Sequence, residues 1–169
     1  RVRITPSRGW EGPWPRIGVR FALPLDVTEA RWFGTGPLES YPDSLRAARV
    51  GAFSAAIDDL VVPYARPQES GHRSELRRLE LSHAAGPWLR LEAEADSAGR
   101  LPGFTLRRHT PQQVAAAAHP HELPEPVATY LTIDAAQHGL GTRACGPDVW
   151  PTEYLRPESR TIALRFSAL

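Results

Sequence analysis

The chain contains no lysine, no asparagine and no methionine, and a single cysteine, Cys145. All twenty basic side chains are therefore arginine. Codons for the three missing residues are rich in A and T, so their absence reads as the mark of a GC-rich coding sequence and leaves function open. It does make every strong cationic contact an arginine contact, often bidentate to a carboxylate. One cysteine excludes an internal disulfide, and a reducing compartment, the cytoplasm, is the expected setting. No apolar run approaches the length that spans a bilayer, so no membrane partner is expected. A charged n-region followed by an apolar stretch is missing too, and no signal peptide is read. Residue 1 is Arg and there is no Met, so the sequence reads as an internal piece of something longer. Basic blocks are also lacking. Arg77-Arg78 and Arg107-Arg108 are only pairs, the formal net charge is +1, and no nucleic-acid partner is expected.

What is present is an ordinary globular composition. The 169 residues are 41% hydrophobic and 23% charged, the size and balance of one domain with a real core. Seventeen Pro and thirteen Gly are spread along it and favour short strands joined by turns. Apolar residues recur with a period of two. Ile17, Val19, Phe21 and Leu23 alternate with Gly18, Arg20 and Ala22. The same pattern runs through Leu76, Leu79 and Leu81, through 88–92, through Phe104-Thr105-Leu106-Arg107, through 127–133 and through 162–166. Each predicts a strand with one face on a core and the other wet. One short helix is predicted near 111–118, with Thr110 as N-cap, Pro111 at N1 and Pro120 ending it. A second helical turn is predicted over 44–49. The class is all-β, an antiparallel sandwich or barrel.

Five segments are more ordered than random turns. They are Pro15-Arg16-Ile17-Gly18; Trp32-Phe33-Gly34-Thr35-Gly36-Pro37-Leu38-Glu39-Ser40-Tyr41-Pro42-Asp43; Arg66-Pro67-Gln68-Glu69-Ser70-Gly71-His72-Arg73; His119-Pro120-His121-Glu122-Leu123; and Gly139-Leu140-Gly141-Thr142-Arg143-Ala144-Cys145-Gly146-Pro147. In this order and spacing they resemble the C-terminal, small-chain domain of glycoside hydrolase family 2 β-galactosidases, over nearly the whole chain. The resemblance implies an antiparallel β-sandwich of the galactose-mutarotase-like (supersandwich) type. It implies that residues 1–169 are that C-terminal domain, with 1–16 as a Pro/Gly-rich lead-in, and that the chain starts part-way into the domain and covers its second half. Exposed sheet edges would then be closed by another copy or by a separate chain. In the family a (β/α)₈ barrel precedes this domain and holds the acid/base and nucleophile Glu residues and the Mg²⁺ and Na⁺ sites. None of that barrel is present, so neither a catalytic residue nor a cofactor is expected here. The implied partners are the remaining domains of the parent, a galactoside at a loop tip, and further copies in a homo-oligomer.

The residues themselves leave several readings open. Retaining glycosidases need two carboxyl groups about 5–5.5 Å apart. Glu39, Glu69 and Glu122 all lie in motifs, and the plainer reading has each fixing a loop by accepting from backbone N–H groups or from Arg. His119 and His121 form H-x-H with Glu122 next, a metal pattern without a convincing further ligand, and packing histidines are the favoured reading. The 139–147 loop holds three Gly and one Pro, which allow close backbone approach to a neighbour. The resemblance implies that it reaches the galactoside pocket, where some relatives place a Trp as a shelf for the sugar. Here Cys145 and Gly146 stand at that tip, so Cys145, Gly146 and Trp150 are the candidate substrate contacts. The plainer reading of Trp150 is core. Asp43 is followed by Ser44 where the family has Arg, so an expected ion pair is absent or rerouted. Trp10 or Trp14 is a candidate cap on an exposed sheet edge. Three functions follow: a non-catalytic accessory domain of a β-galactosidase, a stand-alone sugar-binding or aldose-1-epimerase-like module with a His acid and a Glu base, or a purely structural domain.

Overall fold

The computed structural model describes residues 1–141 and 146–169. Nine strands are described: β1 (Val2–Ile4), β2 (Arg16–Leu23), β3 (Val27–Gly36), β4 (Arg49–Ala56), β5 (Arg78–His83), β6 (Gly86–Glu94), β7 (Gly103–Arg107), β8 (Thr129–Gln137) and β9 (Arg160–Ala168). They form a six-stranded sheet in the order β1-β9-β6-β5-β3-β4 and a three-stranded sheet in the order β2-β8-β7. Every named pairing is antiparallel. The expected all-β sandwich with one short helix is what is found. The helix α1 spans Pro111–Ala116, capped by Thr110, whose hydroxyl accepts from Gln113 N while the Gln113 side chain accepts from Thr110 N.

The core lies between the sheets because alternation sends one residue in two inward. Trp32, Leu79, Leu81, Leu91 and Ile162 come from the large sheet, and Phe104, Leu106, Leu131 and Ile133 from the small one; all are nearly inaccessible. Three strands cannot cover six. Phe166 on β9 pairs with Leu91 and shares its inner face, yet it is 45% exposed and meets Phe21 edge-on at 5.6 Å. The outer face of the large sheet is wet and carries the ion pairs expected of an arginine-only surface, Arg90–Glu80 at 2.9 Å among them.

Several expectations are corrected. The 44–49 helical turn is a 3₁₀ turn over Pro42–Ala47, and Arg49 opens β4 instead. Leu76 is buried but precedes β5, and Val127 precedes β8 and is 76% exposed. β7 has no wet face, because Thr105 and Arg107 are buried with Phe104 and Leu106. Two long-range contacts explain this. Arg73 bridges Phe104 antiparallel and Ser40 parallel, closing the edge of β7 with the chain's own residues. The 69–70 segment lies over the other face, where Arg107 donates to Ser70 O at 3.2 Å and to Glu69 at 3.3 Å. The first sixteen residues hold β1, and Trp14 N donates to Leu155 O at 2.9 Å, so this stretch is tied to the C-terminal part of the fold.

Candidate functional site

The outer face of the small sheet is polar and partly covered. β8 sends Asp134 to it, β7 sends Thr105, and the irregular start of β2 sends Arg16. Arg16 grips Asp134 through Nε at 3.0 Å and through Nη2. His72 Nδ1 lies 3.6 Å from the same carboxylate and 3.5 Å from the Thr105 hydroxyl. Burial alone would push the Asp134 carboxyl up. The adjacent His72 imidazole, the hydrogen bonds from Arg16 and the Arg16 charge outweigh that and hold it below the ordinary carboxylate range. Gly18 makes room: a Cβ there would stand 2.3 Å from Asp134 Oδ1.

Glu69 sits beside this pair. It accepts from Tyr41 OH at 3.1 Å and Arg107 at 3.3 Å, with Arg16 at 3.7 Å. Burial, then the Glu69 charge, pushes the Tyr41 phenol far up, so it remains a donor. Glu39 accepts from Gly71 N at 2.8 Å, and Glu122 from Ala118 N at 2.9 Å. The motif carboxylates are thus loop fasteners. Arg73 does the same work from the cationic side. It donates to the carbonyls of Leu60 (2.8 Å), Gly71 (2.9 Å) and Pro37 (3.1 Å), and its guanidinium lies over Trp32 at 5.2 Å. Burial pushes its pKa down to about 10, so it stays charged at neutral pH.

A concavity of about 770 Å³ opens next to this network, lined by Trp14, Arg16, Glu69, Asp134, His138 and Leu140 among others. Its wall is the base of the 139–150 loop. Gly141 N donates to Asp43 Oδ2 at 2.7 Å, and Gly139 N to Glu153 O at 3.3 Å. His138 stacks on Tyr154 with ring centres 5.3 Å apart. Gly141 has φ +65°, and a Cβ there would meet Val149 N at 2.8 Å, so only glycine fits this close approach. The missing Arg after Asp43 is accounted for as well. Ser44 Oγ accepts from Tyr41 N at 2.9 Å, and Asp43 is left to hold the loop.

The candidate contacts fare differently. Cys145 lies outside the described residues. Gly146 is exposed at a bend. Trp150 is not core; it is 70% exposed at the head of the 3₁₀ turn Pro151–Glu153, while its neighbour Val149 is the buried one. Trp10 is 54% exposed and packs edge-on against Trp14 at 6.0 Å. His119 and His121 do not pack into the core; both are exposed. What the sequence concealed was the Arg16–Asp134–His72 cluster, whose members are far apart in the chain and meet only through β2–β8 pairing and the bridge of Arg73 to Phe104 on β7.

The model of one family, the β-galactosidase small chain, matches residues 1–167. The chain belongs to the β-galactosidase small-chain family. Among similar curated proteins, a β-galactosidase of Arthrobacter sp. (strain B7) is 59% identical over 168 residues, which is 99% of this chain and 17% of that relative. A Vibrio cholerae β-galactosidase is 35% identical over 146 residues, 86% of this chain and 13% of the relative. One from Bifidobacterium adolescentis is 32% identical over 155 residues, 89% and 14% respectively. This small-chain member therefore spans only about one-sixth to one-eighth of the length of these relatives. No described helix is long and apolar enough to cross a membrane.

Proposed function

We propose that the chain is the non-catalytic C-terminal portion of a β-galactosidase that hydrolyses terminal non-reducing β-D-galactose residues with retention. In this reading it stabilises the enzyme and lends its 139–150 loop to the rim of the galactoside pocket. The observation that carries the non-catalytic reading is the state of its carboxylates. Glu39, Glu69, Glu122 and Asp134 each accept from a backbone N–H, an arginine or a histidine. A retaining mechanism needs one carboxylate free to attack and one free to donate a proton. Carboxylates already neutralised by Arg16 and Arg107 suit neither role, and the guanidinium groups occupy the oxygens that Mg²⁺ would take. The Mg²⁺ and Na⁺ that the family resemblance implies belong to the barrel, and no residue of this chain is assigned to them.

The rim role rests on the rigid base of the loop. Asp43, Val149 and the two glycines fix where it leaves the sandwich, and Trp150 stands exposed beside it. Cys145, Gly146 and Trp150 are the residues proposed to meet the sugar. The bare inner face around Phe166 supports a chain that starts within a larger domain, with 1–16 as its lead-in and the remaining domains as partners. A homo-oligomer and a cytoplasmic setting complete the proposal, the latter on the single cysteine. An epimerase-like module is disfavoured, since Glu69 shares a concavity with His138 but is held by arginine.

The test is hydrolysis of a chromogenic β-galactoside. The 169-residue chain is expected to show no turnover above buffer, and the full polypeptide that contains it to be active. Turnover by the purified chain from a host lacking its own galactosidase would overturn the reading.

A further inference from the structure

We propose that His119, His121 and Glu122 form a three-ligand site for one transition dication of the zinc type. The site lies on the turn that follows α1. It is independent of the galactosidase reading and shares no residue with the proposed sugar contacts Cys145, Gly146 and Trp150.

One ligand atom from each of the three lies within 4.8 Å of the others. His119 Nδ1 and Glu122 Oε1 are 3.0 Å apart. Zinc bonds of about 2.0–2.1 Å place tetrahedral ligand atoms about 3.3 Å from one another, so this pair already spans one edge of a coordination shell. The His119 and His121 rings are nearly parallel, 18° apart with centres at 5.5 Å. Both imidazoles are exposed, so a side-chain rotation closes the remaining gap without moving the backbone.

The backbone prepares the arrangement. Pro120 fixes the start of the 3₁₀ turn Pro120–Glu122. Glu122 N donates to His119 O at 3.1 Å and Leu123 N to Pro120 O at 3.2 Å, which folds positions 119, 121 and 122 together. Ala118 N holds Glu122 Oε2 at 2.9 Å and leaves Oε1 turned toward His119, the outer support that orients a metal-binding carboxylate. Two imidazoles and one carboxylate are a donor set that zinc takes readily and Mg²⁺ or Ca²⁺ does not. Three protein ligands leave a fourth position for water.

The experiment is calorimetric titration of the metal-depleted full polypeptide with Zn²⁺ near neutral pH. The His119→Ala/His121→Ala variant and a His83→Ala control run alongside. The unaltered protein and the control are expected to bind one more equivalent than the double variant. Glu122→Gln is expected to weaken that equivalent about tenfold or more. Equal stoichiometry in the unaltered protein and the double variant overturns the proposal. A second readout needs no variant. Zn²⁺ is expected to protect His119 and His121 from carbethoxylation, read by mass spectrometry, while the half-buried His109 reacts to the same extent with and without Zn²⁺. Unchanged modification of His119 and His121 with Zn²⁺ present would equally overturn it.

Discussion

Replacing Asp134 by alanine lowers the stability of the chain by about 3–5 kcal/mol, the usual cost of removing one partner from a buried ion pair. Asp134 is fully buried, and Arg16 and His72 both face its carboxylate. Removing it leaves the Arg16 guanidinium, itself only 20% exposed, without its closest anion. It also leaves a void under Gly18. Asp134→Asn keeps the shape and loses the charge, so it recovers only part of the loss. Urea unfolding followed by far-UV circular dichroism measures both. The pH dependence follows from the same group. Its folded pKa is depressed, so the stabilisation is fully present above the unfolded value of about 3.9 and is lost as pH falls through the folded pKa. The urea midpoint of the native chain therefore falls steeply below about pH 4. In Asp134→Asn that part of the acid dependence is absent.

Trp32→Ala costs a similar amount, about 3–5 kcal/mol for an aromatic cut back to alanine in a core. Trp32 is 3% exposed on β3, between β5 and the edge strand β4 of the six-stranded sheet. Its ring meets Phe53 on β4 at 5.6 Å and Phe104 of the opposite sheet at 5.7 Å, so it joins both layers. Arg73 lies over the same ring, and Trp32 Nε1 donates to Thr35 O at 2.9 Å. The truncation opens a cavity and removes the surface on which the Arg73 side chain rests. Trp32→Phe keeps a ring, loses the N–H bond, and is expected to cost about 1 kcal/mol beyond its change in volume. Thermal unfolding of the two variants ranks them: alanine far below phenylalanine, phenylalanine below native. Equal midpoints for Trp32→Ala and the native chain would show that this ring does not carry the contact between the sheets.

Much of the fold was legible because its strands obey a period of two. Ile17 to Leu23 and the run through Leu164 read as strands for that reason, and they are β2 and β9. β4 was not legible, because Gly51, Ala52, Ala55 and Ala56 give a weak apolar signal, and its strand identity comes from pairing with β3. β7 was placed correctly but its environment was not. Arg107 reads as a wet-face residue, and only the distant Glu69 and Ser70 make it buried. Long-range contacts of this kind leave no local trace. Within the candidate site, the glycine-rich loop stood out by composition. Its anchor, Asp43 to Gly141, joins residues 98 apart and did not. The histidine pair showed as a motif, but its exposure and its link to Glu122 are products of the 3₁₀ turn.

The central claim is that this chain serves a galactoside pocket through one loop while contributing no catalytic group. Its most direct test is steady-state hydrolysis by the full polypeptide with residues 142–146 replaced by a Gly-Ser segment of equal length. A lost polar contact to the sugar, worth about 0.5–1.5 kcal/mol, lowers kcat/KM for a nitrophenyl β-galactoside by about 2- to 12-fold. The account predicts a fall of that size with turnover still measurable. Unchanged kcat/KM would contradict the rim role, and complete loss of turnover in a folded variant would contradict the absence of a catalytic group.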